Sequence, residues 1–338
     1  GGATKLNWES AFSRGLTGLL GSTFLGSFLV IGPLVEPAEA CDSTSCLMLT
    51  RGTAGFLARG AFQVDLSFRH SDLSQRRLGT EPTDTVIRPK VFIERELLVP
   101  GYHEDLQGSE NYLQLDLAWG AGQKTTVFAS MPLFGQKDYE IGHGGTGSTY
   151  NIRGLGDLVV GARRALVSSP QRSLVLSLGL KVPTGKNGII DDFDETILDP
   201  TLQPGTGSGD VIPSLQWSTL GPAGTQLSLS GSYQINTTND YKYRFGNEVI
   251  TALTTSRTFG RLTPSLQVKL NVRGRSTFVE EAVPSTGATV LYVNAGLRTR
   301  TADAFGFYAF LLVPVYKDVN EAQLAARYSM LLGFSKTF

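Results

Sequence analysis

Along most of the chain apolar and polar residues alternate one for one. The cleanest stretch is 172–182, where Leu174, Leu176, Leu178, Leu180 and Val182 share one face. In 261–273, Leu262, Leu266, Val268, Leu270 and Val272 oppose Ser265, Gln267, Lys269, Asn271 and Arg273. In 61–72, Phe62, Val64, Leu66 and Phe68 oppose Gln63, Asp65, Ser67 and Arg69. A period of two is the mark of a β-strand with one face apolar. Gly, Pro, Asn and Asp clusters divide the alternating stretches into twelve strands: 61–72, 111–119, 124–134, 153–166, 172–182, 210–218, 225–234, 243–259, 261–273, 289–301, 304–316 and 323–338. The eighth is the least regular, and the eleventh is nearly all apolar. In the twelfth, Leu324, Ala326, Tyr328, Met330, Leu332, Phe334 and Phe338 are placed on the apolar face.

Connections alternate as strictly as residues do. The links after the second, fourth, sixth, eighth and tenth strands span only a few residues. Those after the first, third, fifth, seventh and ninth are 73–110, 135–150, 183–209, 235–242 and 274–288. Short turns at one end, long loops at the other and an even strand number fit a transmembrane antiparallel up-and-down β-barrel. A β-sandwich has no reason for this alternation of loop length. Backbone groups in hydrocarbon cannot stay unpaired, and closing the sheet removes its edges. Lysines and arginines at alternate positions inside strands then face an aqueous lumen. Aromatics near strand ends, such as Trp119, Phe134, Trp217, Tyr233 and Tyr316, suit the interface girdles.

The first forty residues read differently. A polar start with Lys5, Glu9 and Arg14 is followed by an apolar run over 16–32, then Pro33 and Ala38-Glu39-Ala40. This is the layout of a secretory signal peptide, with the alternative of a membrane anchor. The expected organisation is a signal peptide at 1–40, an N-terminal segment at 41–60 and a barrel at 61–338. The N-terminal segment is expected to form a plug or a periplasmic tail. A strand ending in Phe338 resembles the assembly signal of bacterial outer-membrane proteins. The expected location is therefore the outer membrane of a Gram-negative bacterium, with its lipid as one partner.

Charge adds little to this picture. Lys plus Arg and Asp plus Glu are 30 each among 338 residues, so no basic excess points to nucleic acid. Cys41 and Cys46 follow the expected cleavage site. For two thiols outside the cytoplasm a disulfide is chemically reasonable; a metal or redox contact and a lipid anchor are the alternatives. The histidines His70, His103 and His143 have no nucleophile pinned beside them, so no enzyme activity and no cofactor is expected. Asp191-Asp-Phe-Asp-Glu195 is an oxygen-rich loop of the kind that can hold calcium, although solvation explains it as well.

The constellation that remains is the inward-facing set. Arg69, Asp116, Arg163, Lys181, Lys269, Arg273, Arg298, Arg300 and Arg327 are the candidate lumen-lining residues, with Asp65, Asp157, Asp210 and Glu248 as further acids. Such a set either fills a narrow barrel with salt bridges or lines a polar channel with a mild basic bias.

Three motifs follow in order: Gly154-Leu-Gly-Asp157, then Lys181-Val-Pro-Thr-Gly185, then Gln203-Pro-Gly-Thr-Gly-Ser-Gly-Asp210. They resemble the outer-membrane family named for meta-pathway phenol degradation, over roughly residues 60–338. Members of that family are distantly similar to long-chain fatty-acid transporters. The resemblance implies passive passage of small molecules, with hydrophobic or aromatic compounds as the implied class. Twelve strands depart from the fourteen of the fatty-acid transporters, so no ligand pocket is carried over. The alternatives are a narrow porin for anionic solutes, with Arg273, Arg298, Arg300 and Arg327 as its track, and a plugged barrel that docks a partner at its long loops or N-terminal segment.

Overall fold

The computed structural model describes residues 55–338 apart from 144–145 and 302–304. Expectations for the signal peptide, for Cys41 and Cys46 and for the first part of the N-terminal segment lie outside the described residues. Twelve antiparallel strands close into a barrel. They are β1 Phe62–Leu73, β2 Leu97–Gly120, β3 Thr125–His143, β4 Leu158–Ser168, β5 Arg172–Val182, β6 Asp210–Leu220, β7 Thr225–Gln234, β8 Glu248–Arg257, β9 Leu262–Arg273, β10 Ala288–Arg300, β11 Phe305–Ala325 and β12 Tyr328–Thr337. Each pairs with its sequence neighbour. The ring closes where β1 runs against β12, from Gln63 opposite Thr337 to Asp72 opposite Tyr328. With every edge paired, no strand presents bare N–H and C=O groups to lipid.

Alternation sorts the two faces as the pattern predicts. On β5, Leu176, Leu178 and Leu180 are each about half exposed on the outside, while Val175, Ser177 and Lys181 are buried. On β9, Leu262, Leu266 and Val268 point out while Gln267, Lys269 and Asn271 are buried. A belt of exposed Leu, Val and Phe therefore surrounds a polar interior, and the bilayer is the solvent that this belt requires.

One sector breaks the rule of a polar interior. Ile250 of β8, Val290 and Tyr292 of β10, Tyr308, Phe310 and Leu312 of β11 and Leu331 of β12 form a buried apolar cluster. Phe307, Leu311 and Val313 of β11 meanwhile face outward. This explains why the eleventh strand reads as nearly all apolar: one face meets lipid and the other packs inside.

The structure corrects several boundaries. Much of 73–110 and 135–150, expected as loops, is strand. β2 and β3 run on past the membrane as one long hairpin, extended by a strand over Thr146–Gly154 that pairs with β3. Tyr243–Arg244 is not part of a barrel strand; it joins Thr277–Phe278 and Glu281–Ala282 in a small separate sheet. Leu324 and Ala326 do not face lipid. They are buried at the outer end, where 323–325 still belongs to β11 and β12 starts only at Tyr328.

At the opposite end the chain before β1 crosses the barrel rim. Leu57 donates its backbone N–H to Oγ1 of the inward-facing, buried Thr126 at 2.7 Å, and Gly60 N–H reaches the Gly120 carbonyl at 2.8 Å.

Candidate functional site: a loop held in the outer mouth

The connection between β5 and β6, residues 183–209, carries most of the motif residues, and the geometry gives each a task. Asp157, just before β4, accepts the N–H of Gly185 on one oxygen at 2.9 Å. On the other it accepts the N–H and hydroxyl of Thr206, at 2.8 and 2.7 Å. One carboxylate thus ties both arms of the loop to the barrel wall. Lys181, at the outer end of β5, donates to the Thr206 hydroxyl at 2.6 Å and pairs with Asp210 at the head of β6. Asp210 also accepts the N–H of Thr237 from the next loop at 2.9 Å. Gln203 is buried and closes the loop on itself through the backbone of Ile189 and Leu198. Lys137 of β3 donates to the Thr201 carbonyl at 2.7 Å.

Two glycines bring the arms together. A methyl on Gly205 would lie 2.5 Å from the carbonyl carbon of Gly185, and one on Gly185 would meet Asp157 Oδ1 at 2.8 Å. No larger residue fits there without displacing the loop.

Between the loop and the wall lies a cavity of about 110 Å³. Pro200, Gln203 and Thr206 of the loop form one side of it, with Tyr112, Glu248 and Arg273 among the wall residues. These come from β2, β8 and β9, well apart around the ring, so the loop lies in the mouth of the barrel and not outside it.

The loop's outer half is clasped separately. Lys90 sits 2.6 Å from Asp191 and 3.5 Å from Asp194, all three largely buried. Tyr150 donates to Asp191 at 3.1 Å and Tyr102 to Asp194 at 3.1 Å. Burial alone would pull the Lys90 ammonium down, but Asp199, Asp191 and Asp194 together hold it above its ordinary value. Two of the four carboxylates of the oxygen-rich loop thus serve a lysine. Among the described residues no group of His, Cys, Asp and Glu is arranged to hold a metal ion.

The candidate lumen residues are distributed along the inner wall. Arg69 is buried, 4.7 Å above the Tyr112 ring. Lys269 is fully buried, 4.6 Å above the Tyr292 ring. Arg273 pairs with Glu248 at 3.0 Å. Arg163 lies 4.6 Å from the Phe128 ring, and Arg298 lies 5.7 and 5.3 Å from Tyr308 and Phe310. Asp116 accepts hydrogen bonds from Gln114 and Ser130. Arg300 is exposed at the turn end of β10. Arg327 does not join the others: it lies exposed in the two-residue turn between β11 and β12, where its N–H meets the Asp72 carbonyl at 2.8 Å. The proposed track of Arg273, Arg298, Arg300 and Arg327 is therefore not continuous.

Sequence reasoning missed the stacking of cations on inward aromatics, the inner apolar wall and the Lys90 clasp. Alternation does place Tyr292 and Tyr308 inside, so the first two were open to inspection. The clasp joins Lys90, in a short strand over Ile87–Phe92, to loop carboxylates about a hundred residues away, and leaves no periodic trace.

The family model described as "Putative MetA-pathway of phenol degradation" matches residues 116–323. The chain belongs to this family. The match begins on β2 and takes in the motif loop and its anchors Asp157, Lys181 and Asp210. Among solved structures, an outer membrane channel from Pseudomonas putida F1 superposes with a TM-score of 0.58 at 12% identity, covering 85% of this chain and 98% of that one. The toluene transporter TodX of P. putida gives 0.40 at 8% identity, covering 83% and 90%. A FadL homologue of Pseudomonas aeruginosa gives 0.39 at 10%, covering 84% and 91%. No curated protein matches the sequence. The protein is a closed twelve-stranded β-barrel with an apolar outer belt.

Proposed function

We propose that the barrel is a passive channel for small molecules, aromatic ones among them, and that loop 183–209 is its constriction. The observation that carries this reading is the pinning of that loop inside the mouth by Asp157 and Lys181. A loop whose only task was to dock a partner would not need anchors on the inner wall.

Size supports a movable constriction. An apolar cavity of about 150 Å³ accepts a benzene ring, and the space beneath the loop is about 110 Å³. A ring-sized solute therefore fits beneath the loop only when the loop shifts. Below the loop, the passage has one polar side, with Asp116, Arg163, Lys269 and Arg273, and one apolar side built on Tyr308, Phe310 and Leu312. Such a wall accommodates a solute that is part apolar and part polar. No energy source and no cofactor enters this reading.

The test is conductance in planar bilayers. Wild type is expected to show small, discrete steps. Lys181→Met leaves Asp210 and Asp157 without their cation, frees the loop and is expected to enlarge the steps. Silence of both proteins in bilayers, together with liposomes that do not swell in small solutes, overturns the channel.

A further inference from the structure

Charge is not shared evenly between the two ends of the barrel. At the turn end four cations stand on the outer face of strands: Arg164 of β4, Arg172 of β5, Arg257 of β8 and Lys336 of β12. Each is tied to the first residue of a strand. Arg164 lies opposite Thr125, Arg257 opposite Thr225 and Lys336 opposite Phe305, while Arg172 itself opens β5. Arg59, Lys124, Arg261 and Arg300 add four exposed cations in or beside the turns. Acids are placed elsewhere. Among the described residues every Asp and Glu either faces the lumen, as Asp65 and Asp116 do, or lies towards the outer end. Asp303, between β10 and β11, lies outside the described residues.

The aromatic side chains at the same level say what these cations meet. Trp119, Trp217, Phe259 and Phe338 are exposed there. Arg257 lies 5.0 Å over the Phe259 ring, and Lys336 lies 4.3 and 4.8 Å over Phe305 and Phe338. Trp217 stands opposite Leu174, the outward residue next to Arg172 on β5. Exposed aromatics at the border of an apolar belt sit at headgroup level. Long cationic side chains beside them keep their stems in the apolar layer and their heads in the polar one. Like charges gathered on one rim repel each other, so eight of them with no described carboxylate between are matched to a negative plane. The outward four come from β4, β5, β8 and β12, spread around the ring. A surrounding leaflet meets all of them at once, and a protein docked on one side does not.

We propose that the turn end of the barrel binds the headgroups of anionic phospholipids, with Arg164, Arg172, Arg257 and Lys336 as the phosphate contacts. Arg and Lys meet a phosphate through charge-assisted hydrogen bonds, and basic clusters beside a membrane select anionic lipid. A zwitterionic lipid offers the same phosphate with its own cation attached. Preference for the anionic headgroup, and not contact with lipid as such, is therefore the mark of the site.

The sequence supplies its own probe. With Trp8→Phe in the full chain, Trp119 and Trp217 are the only tryptophans left, and both lie at the turn end. The barrel is refolded into phosphatidylcholine vesicles in which a minor share of the lipid is brominated on its acyl chains, either phosphatidylglycerol or phosphatidylcholine. Brominated phosphatidylglycerol is expected to quench as if enriched about fivefold around the barrel. The excess is expected to vanish in about 1 M salt, where the Debye length is about 3 Å. It is also expected to vanish when Arg164→Gln, Arg172→Gln, Arg257→Gln and Lys336→Gln are combined. Arg153→Gln with Arg244→Gln, exposed cations of the outer end, is expected to keep it. Gel mobility with and without heating shows that each variant is folded. Equal quenching by the two brominated lipids overturns the proposal, and the ring of cations then fits an acidic protein surface instead. An excess that survives the combined variant overturns the assignment to these four residues. No quenching by either lipid overturns the proposal together with the lipid-facing belt.

Discussion

Gly205 shows how little room the constriction leaves. Its Cα packs on the Gly185 backbone so closely that an added methyl would stand 2.5 Å from a carbonyl carbon. Backbone cannot yield as a side-chain tip can, so Gly205→Ala is expected to cost about 1–3 kcal/mol, typical of overpacking. The strain has a direction, because the loop can relieve it by lifting from the wall. Larger conductance steps with a lowered unfolding midpoint are the expected outcome. At this scale the sequence was readable in part. Alternation places Arg69, Lys181 and Lys269 inside without ambiguity, since a one-residue slip would turn every side chain over. What each inward residue meets across the lumen depends on strand tilt and register, which local pattern does not encode. Lys181 beside Asp210 and Arg69 over the Tyr112 ring look the same along the chain.

Elements were legible wherever one face is apolar. β5, β7 and β9 fall within a residue of their expected limits. Legibility ends where strands leave the membrane. In Gln107-Gly-Ser-Glu110 and Gln136-Lys-Asp138 both faces meet polar surroundings, so the hairpin of β2 and β3 looks like loop although its ladder is continuous there. The clasp at the outer half of loop 183–209 carries its own pH dependence. Burial pushes the Asp194 carboxyl up, but hydrogen bonding from Thr196 and the charge of Lys90 outweigh it and hold it below its ordinary 3.8. A depressed carboxyl stabilises the fold fully above its unfolded value and loses that contribution as pH falls through the folded one. Lys90, raised above 10.5, contributes below that value and loses its share only beyond it. Asp199 works the other way, its carboxyl raised chiefly by burial, so acid relieves a cost there. The ion pairs to Lys90 are therefore expected to hold between about 4 and 10.5 and to open in stronger acid. Amide exchange of residues 189–198 followed against pH should be flat across that window and rise below it. In Lys90→Met it should be fast throughout.

For the molecule as a whole, strand number, sidedness and closure could be read from loop lengths, because a barrel forces every second connection to the same side. The mixed character of the lumen could not be read the same way, because an apolar inner wall on β10 and β11 and an apolar outer belt leave the same residues in the sequence. Sidedness can be measured directly. Leu178, half exposed near the middle of β5, and Leu262, equally exposed on the outer face at the turn end of β9, differ in depth but not in chemistry. A charge on the lipid face costs about 2–4 kcal/mol at the midplane and about 0–1 near the interface. Leu178→Arg is therefore expected to lower the free energy of unfolding in lipid vesicles by the larger amount and Leu262→Arg by the smaller. The contrast is the informative quantity, because any general effect of a surface arginine cancels between the two variants. Equal and near-zero costs would mean that the belt faces water, and an interior channel would then have no membrane to cross.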